Sequence, residues 1–366
     1  MTEDLNLLYT DVEDSLRASV RDLLTDRCPA DRVIALYDGD RSLVPGLWKA
    51  LAVDLGLAGL LVPEEYGGAG ASAREAAVVL EELGRSAAPV PFLSSAVVAT
   101  AALLRAGRSA LLEQLAAGER TAALAVPFSA TATGFSASVR RGADALRGEL
   151  SSLAGVLDAD VLLVPVTVEG GVELHTVETA DATVTPVVSL DMTRQLADVT
   201  LEGAASTVLL GADEGDRAVR EALLVGAALM ASEQLAVAQW CLDSTVGYLR
   251  ERRQFGRIVG GFQALKHRLA DLYVLVESAR AAARYAAVTV AEDHPDREIA
   301  ASVAQAYCSE VAVRAAEECV QLHGGIGMTW EHPAHLYLKR AKADQIAFGT
   351  PGAHRLRLGE LVDLPA

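Results

Sequence analysis

The chain has 366 residues and a formal net charge of −17. At roughly 150 residues per domain, this length predicts two or three domains. An apolar fraction of 51% is enough to fill their cores, so disorder is excluded for most of the chain. The excess negative charge would repel a polyphosphate, and we therefore predict no nucleic-acid partner.

The sequence carries no pattern typical of export or of membrane insertion. The N-terminus is acidic from residue 3 onward, whereas a secretory signal needs a basic start and an apolar middle. No apolar run of 18 residues lacks a charge or a polar break, so we predict no membrane span. None of the four cysteines belongs to a Cys-x-x-Cys pair, which indicates reduced thiols, a cytoplasmic protein and no metal site. These cysteines are Cys28, Cys241, Cys308 and Cys319.

The chain divides into three zones. Residues 1–118 are predicted to form a helical N-terminal domain, because apolar residues between Leu5 and Leu24 recur at three- and four-residue spacing. Further helices are predicted over 47–55, 73–84 and 95–106, with a Gly- and Pro-bearing loop at 62–70.

Residues 119–213 change character and predict a middle β-domain. Short runs rich in Val and Thr, bounded by turn residues, indicate the strands of a small antiparallel sheet or barrel. These runs cover 160–168, 171–177, 182–190 and 206–210.

Residues 214–366 predict a C-terminal four-helix bundle. A seam of apolar or small residues from Leu224 to Leu249 advances by alternating steps of four and three, which suits antiparallel helix packing. Asp216 is the predicted N-cap of that long helix. Further helices are predicted over 262–292, 296–322 and 335–347. The fold class that follows is α+β, mostly α.

Two basic segments stand out in this acidic chain. Residues 249–268 hold six Lys or Arg against Glu251, a local charge of +5, and residues 335–357 hold five against Asp344, a charge of +4. Such islands favour a bound anion such as a phosphate or pyrophosphate. Cations that face the negative ends of helix dipoles would give the same pattern, and both interpretations stay open.

A glycine cluster follows the predicted helix over 296–322. The segment QLHGGIGMT (321–329) has Gly324, Gly325 and Gly327, so its backbone N–H groups can approach an anion closely. No strand precedes it, which excludes a dinucleotide-binding fingerprint. A helix C-cap followed by a tight turn is the alternative.

Four segments of the chain resemble segments of the acyl-CoA dehydrogenase family. The segments are VPEEYGGAG (62–70), ERRQFGRIVGGFQALKHRLADL (251–272), QLHGGIGMTWEHP (321–333) and LYLKRAKADQIAFGT (336–350). The family plan of a helical domain, a β-domain and a four-helix bundle matches the three zones. The chain most resembles the non-catalytic subunit of the heterotetrameric acyl-CoA dehydrogenases of actinobacteria, which act on CoA thioesters of steroid side chains.

The resemblance implies FAD as cofactor, an acyl-CoA substrate and α,β-dehydrogenation. In such enzymes a carboxylate removes the α-proton while a hydride passes to the flavin. The family's FAD spans a subunit interface, so the matching residues of this chain are expected to contact the FAD of a partner, with Arg252 near the pyrophosphate. The expected cofactor-binding residues are Arg252, Gln254, Phe255, Gln321, Gly324, Gly325 and Thr350.

The catalytic base of the family is missing at both positions where it is expected. The usual glutamate, two residues before Thr350, is replaced by Phe348, and the alternative position early in the long bundle helix aligns with Gly226. Glu221 and Glu233 are the nearest acids on that helix and are the candidates for a displaced base. At 100° per residue, Glu233 is rotated about 200° from the seam, which predicts a solvated face.

The β-domain departs from the family too. The flavin-lining stretch aligns with residues 124–136 and the flavin-packing element with 146–160, and both have lost the family residues. We therefore expect a non-catalytic subunit of an α2β2 acyl-CoA dehydrogenase, whose homologous partner supplies the flavin pocket and the base. A self-sufficient homomeric enzyme with a displaced glutamate, and a non-enzymatic scaffold or acyl-CoA-binding protein, remain alternatives.

Overall fold

A computed structural model describes residues 5–142 and 145–364. Helices come first, then a sheet, then long helices, so the predicted α+β class is confirmed. The helices are α1 (Asp11–Arg27), α2 (Ala30–Ile34), α3 (Leu43–Lys49), α4 (Ala73–Arg85), α5 (Thr100–Leu104), α6 (Ala110–Ala116), α7 (Ala212–Glu251), α8 (Gln263–Ala291), α9 (Arg297–His323), α10 (Ala334–Asp344) and α11 (Pro351–Leu361). The strands are β1 (Ala122–Leu124), β2 (Val139–Arg141), β3 (Leu146–Ala154), β4 (Val161–Val168), β5 (Gly171–Glu178), β6 (Thr183–Pro186), β7 (Leu196–Ala204), β8 (Thr207–Leu210), β9 (Arg253–Gln254) and β10 (Arg257–Ile258).

The first helix begins later than the apolar pattern predicts. Thr10 Oγ1 accepts a hydrogen bond from the Glu13 N–H, and the Glu13 carboxylate accepts one from the Thr10 N–H. This capping box satisfies two free amide groups and starts α1 at Asp11, so Leu5 and Leu8 lie ahead of the helix.

The sheet runs in the order β6-β7-β3-β2-β4-β5-β8, with β1 beside β4. It is mainly antiparallel, as predicted, but β1 and β2 each pair with β4 in parallel. The predicted strand over 182–190 is shorter and covers only Thr183–Pro186. The sequence pattern did not reveal β3, since a register shift between Leu150 and Leu153 interrupts its alternation of buried and exposed residues.

The long helix α7 lies at the centre of the molecule, between α4, α8, α9 and strand β5. It begins at Ala212 with Gly211 as N-cap, so the prediction that Asp216 caps it was wrong. It is the one described helix that is long and apolar enough to cross a membrane, but 89% of its most apolar window is buried inside the protein. Its apolarity is thus that of a core helix. The domain limits at 118 and 213 stay predictions.

Candidate functional site

The C-terminal end of α7 leads directly into an exposed hairpin. Arg252 caps the helix, and β9 and β10 then pair through a tight turn at Phe255 and Gly256. Both turn residues have positive φ, 54° for Phe255 and 73° for Gly256. A non-glycine residue rarely adopts this conformation, which here presents the Phe255 side chain to solvent with 87% of its surface exposed.

Apart from Arg268, which binds Glu318 at 2.6 Å, the first basic segment lacks acidic partners among the described residues. Arg250, Arg252 and Arg253 are exposed and form no ion pair within residues 5–142 and 145–364. The Arg257 guanidinium lies 3.8 Å from the centre of the Phe262 ring, again with no carboxylate. Guanidinium groups without carboxylates beside them can bind a phosphate or diphosphate. The anion interpretation of this segment therefore stays a prediction that its free arginines favour.

The second basic segment proves different, and of the two interpretations left open its ion pairs do not support an anion site. Four of its five cations are already paired with carboxylates, and the fifth, Lys339, lies over aromatic rings. Arg355 binds Glu310, Arg357 binds Glu298 at 2.7 Å, and Lys342 binds Glu317 at 2.9 Å. A sequence count of charges along the chain cannot include these acids, because they come from α9.

The glycine cluster forms an open turn at the end of α9. Gly324 has a φ of 63°, which favours glycine, and its N–H closes the helix on the Gln321 carbonyl. Gln321, Gly324 and Gly325 are exposed, and a Cβ added to either glycine would meet no atom within 4 Å. Their backbone is therefore open to a ligand.

The structure brings the α7 end and the glycine turn together. The Tyr248 ring, on the last turn of α7, stacks on His323, the last residue of α9, with 4.5 Å between ring centres. Neither ring was singled out from the sequence, where only the His-Gly-Gly pattern of 323–325 could have drawn attention to it.

Thr350 lies in a different part of the bundle. It is the N-cap of α11, and its hydroxyl accepts a hydrogen bond from the Ala353 N–H. One turn later Arg355 binds Glu310, which precedes Gly324 by 14 residues along α9. At 1.5 Å per residue, Glu310 is about 20 Å along α9 from the glycine turn, so α11 packs near a different stretch of α9.

A separate cleft opens between the helical domain, the sheet and α7. Its walls are mainly apolar. They include Val98, Leu124, Val126, Phe128, Leu223 and Phe348. Asp158 also lines the cleft, but Arg41 holds it in a two-pronged ion pair at 2.7 and 2.8 Å.

The two positions where the family would place a base are in contact with each other at the wall of this cleft. A Cβ added to Gly226 would lie 2.7 Å from Cε1 and 2.8 Å from Cζ of Phe348. The ring is held by its own backbone, since the Phe348 N–H donates to the Phe128 carbonyl at 2.8 Å and His354 Nε2 donates to the Phe348 carbonyl at 2.9 Å. An aromatic ring against a glycine thus fills the space at both positions.

Glu233 is not on a solvated face, and that prediction was wrong. Its side chain is 1% exposed, because α7 is covered on every side over residues 225–238 and rotation about its axis does not lead to solvent there. Arg194 binds it at 2.6 and 2.7 Å, and Arg340 binds it at 2.5 Å. Burial would raise the pKa of Glu233, but the two guanidinium groups outweigh it and lower that pKa.

Glu233 belongs to a buried network of three acids and two arginines. Arg340 also binds Asp191 at 2.7 Å, and Arg194 binds Asp344 at 2.5 Å. With one acid in excess, burial and the charge of Glu233 raise the pKa of Asp344 to about 8. The network ties the loop before β7 to α7 and α10, which makes a structural role its simplest interpretation.

Glu221, the other candidate base, is also engaged. Arg297 grips both of its oxygens at 2.7 and 2.9 Å, and the Glu221 side chain is 25% exposed. Glu221 is not among the residues that line the cleft. Neither candidate therefore presents a free carboxylate to it.

Comparison with known proteins agrees with this architecture. The acyl-CoA dehydrogenase N-terminal domain matches residues 10–119, and the acyl-CoA dehydrogenase C-terminal domain matches residues 213–362. Over 345 residues the chain is 37% identical to the acyl-CoA dehydrogenase IpdE2 of Mycolicibacterium smegmatis, covering 94% of this chain and 96% of that one.

Two solved complexes have the same fold. A subunit of the ChsE4–ChsE5 complex from Mycobacterium tuberculosis superposes with a TM-score of 0.86 at 27% identity, over 99% of this chain and 100% of that one. A chain from a variant of the Tcur3481–Tcur3483 steroid acyl-CoA dehydrogenase gives 0.83 at 31% identity, over 96% and 98%. The resemblance found in the sequence is confirmed: the chain belongs to the acyl-CoA dehydrogenase family.

Proposed function

We propose that this chain is the cofactor-gripping, non-catalytic subunit of a heteromeric acyl-CoA dehydrogenase. A homologous subunit supplies the flavin pocket and the catalytic carboxylate, and the two assemble as an α2β2 heterotetramer in the cytoplasm. The substrate is an acyl-CoA with a bulky acyl group of the steroid side-chain type. The observation that carries the proposal is the set of exposed arginines at 250–253 that have no acidic partner in the described chain.

The residues at the bundle end fit the diphosphate of FAD, the cofactor of the family. Arg252 supplies charge-assisted donors, and the open backbone at Gly324 and Gly325 supplies neutral ones. Gln254 and Gln321 add amide groups that can donate to or accept from a nucleotide. FAD, when bound, accepts the hydride in the family's reaction, whereas the residues of this chain bind and orient it.

No free base lies among the described residues of the cleft, which supports the proposal that a partner subunit supplies the catalytic carboxylate. Phe348 and Gly226 occupy the two base positions, and Asp158 is paired with Arg41. Phe348 and Leu223 also form the wall between the cleft and a neighbouring pocket. A substrate bound here would meet an aromatic ring instead of a proton acceptor.

An apolar surface around the arginines supports a partner at this end. Phe255 is 87% exposed and Met328 80% exposed, and Ile258 and Ile326 are exposed beside them in sequence. Exposed apolar patches rimmed by charge mark protein interfaces. The two solved relatives above are complexes of two different proteins, which favours a homologous subunit as the partner.

The test is FAD retention in the complex with the subunit that co-purifies with this chain. Arg252→Ala should increase FAD loss on dialysis and make it more sensitive to salt, since it removes a charge-assisted contact worth roughly 1.5–3 kcal/mol. Arg32→Ala is the matched control, because Arg32 is also exposed and forms no ion pair in the part of the chain that the structure describes. Equal flavin content in the two variants would contradict the proposal.

A further inference from the structure

Three aromatic rings form a stack between the two segments of the proposed grip. His323 is at its centre, with Tyr248 on one side at 4.5 Å and His332 on the other at 4.3 Å between ring centres. The Tyr248–His323 pair is nearly parallel, at 27°, and the His323–His332 pair is tilted, at 44°; we call the three rings the stack. Each ring comes from a different element: α7, α9 and the loop that leads to α10.

Hydrogen bonds fix the orientation of both histidines. His323 Nδ1 lies 2.7 Å from the Cys319 carbonyl, which can only accept, so this nitrogen carries a proton. His332 Nδ1 accepts the Ala334 N–H at 3.2 Å, so this nitrogen carries none. His323 is 3% exposed, so its ring has little freedom to move.

The stack is joined directly to both ligand-facing segments. The Arg252 N–H donates to the Tyr248 carbonyl at 2.9 Å, which sets where the arginine leaves α7. His323 is followed at once by Gly324 and Gly325. A further glycine, Gly327, lies so close to the helix end that an added Cβ would meet the Val320 carbonyl at 2.5 Å, so the turn cannot shift toward α9.

We propose that Tyr248, His323 and His332 are positioning residues, which hold the Arg252 hairpin and the Gly324 turn at the spacing that one diphosphate requires. They act through the backbone of these segments and need not touch the ligand. Each segment alone would bind a diphosphate weakly, since without the stack the exposed hairpin could move relative to the turn. The stack restricts this movement before binding, which lowers the entropy lost when the ligand is held. The inference rests on the proposed function.

The test compares FAD dissociation from the assembled complex for Tyr248→Leu and Tyr248→Phe. Tyr248→Leu removes the stacked ring and should raise the dissociation rate roughly three- to tenfold, the range that loss of one aromatic pair gives. Tyr248→Phe keeps the ring, and no hydrogen bond of the Tyr248 hydroxyl is found among the described residues, so it should stay within about twofold of the wild type. Leu and Phe both fill apolar space, so a role in general packing would be kept by both variants. A role of the stacked ring would be kept by Tyr248→Phe alone.

Each other outcome counts against the positioning role, the proposed function or both. Wild-type flavin retention in Tyr248→Leu, with loss in Arg252→Ala, would overturn this inference and leave the proposed function intact. A wild-type complex without flavin would overturn both. Loss of flavin in Tyr248→Phe as well would assign the effect to the hydroxyl and not the stack. If Tyr248→Leu does not assemble, His332→Leu, which removes the ring on the other side of His323, replaces it with the same expected result.

Discussion

The substitution Gly226→Ala tests the account of the cleft at one atom. Gly226 lies inside α7, where alanine is normally the better helix residue by about 0.5–1 kcal/mol. The added Cβ would approach Cε1 and Cζ of Phe348 at 2.7 and 2.8 Å and Val98 Cγ2 at 3.1 Å. The first two distances are shorter than real Cβ contacts, so the Phe348 ring would have to move.

The ring has little room to do so. Phe128 packs against it edge-on at 5.6 Å, and the backbone on both sides of the ring is hydrogen-bonded. Overpacking of this kind costs about 1–3 kcal/mol. The cost exceeds the gain in helix propensity, and we expect a net loss of about 1–2 kcal/mol in the free energy of unfolding.

Thermal unfolding of purified chains measures this effect against a matched control. Gly247→Ala is on the same helix, and its added Cβ would meet no atom within 4 Å, so it should raise the melting temperature. Gly226→Ala should lower it by a few degrees. Phe348→Leu combined with Gly226→Ala should cost less than the sum of the single changes, because the two sites are in contact. Equal stabilisation by both alanines would show that no ring fills the base position.

Three further substitutions address the acids. Glu233→Gln should cost about 3 kcal/mol of unfolding free energy, because it removes the carboxylate charge that Arg340 and Arg194 share in the core. Turnover of the assembled complex should stay unchanged. Glu221→Gln should cost at most about 1 kcal/mol of unfolding free energy, since its ion pair with Arg297 is partly exposed, and it should also leave turnover unchanged. A loss of turnover in either variant would identify a displaced base. Asp344→Asn should flatten the pH dependence of stability. Asp344 holds its proton more tightly when folded, with a pKa of about 8, so the wild type loses stability as pH rises from about 4 to 8 and the variant should lose less, as unfolding at several pH values will measure.

A feature can be predicted from the sequence when the residues that form it are close together along the chain. The seam of α7, the exposed arginines at 250–253 and the glycine turn at 324–327 are all read from neighbours along the chain, and each is present in the structure. The substitution of both base positions is local too. What could not be read is that Phe348 and Gly226, 122 residues apart, fill one another's space.

The failures share one physical cause, which is tertiary neighbours that a linear pattern does not include. Glu233 is buried because α7 is surrounded, and its partners Arg194 and Arg340 come from other elements. Three cations of the second basic segment are paired because α9 supplies their acids. The stack around His323 combines three elements and has no signature in any one of them.

The ratio of flavin to protein tests the central claim most directly. The chain is purified alone and again after co-expression with its homologous partner, and bound FAD is measured by absorbance against the concentration of each subunit. The account predicts a colourless, inactive chain alone and one FAD for each copy of this chain in an active complex. A yellow and active chain, purified without any partner, would contradict it.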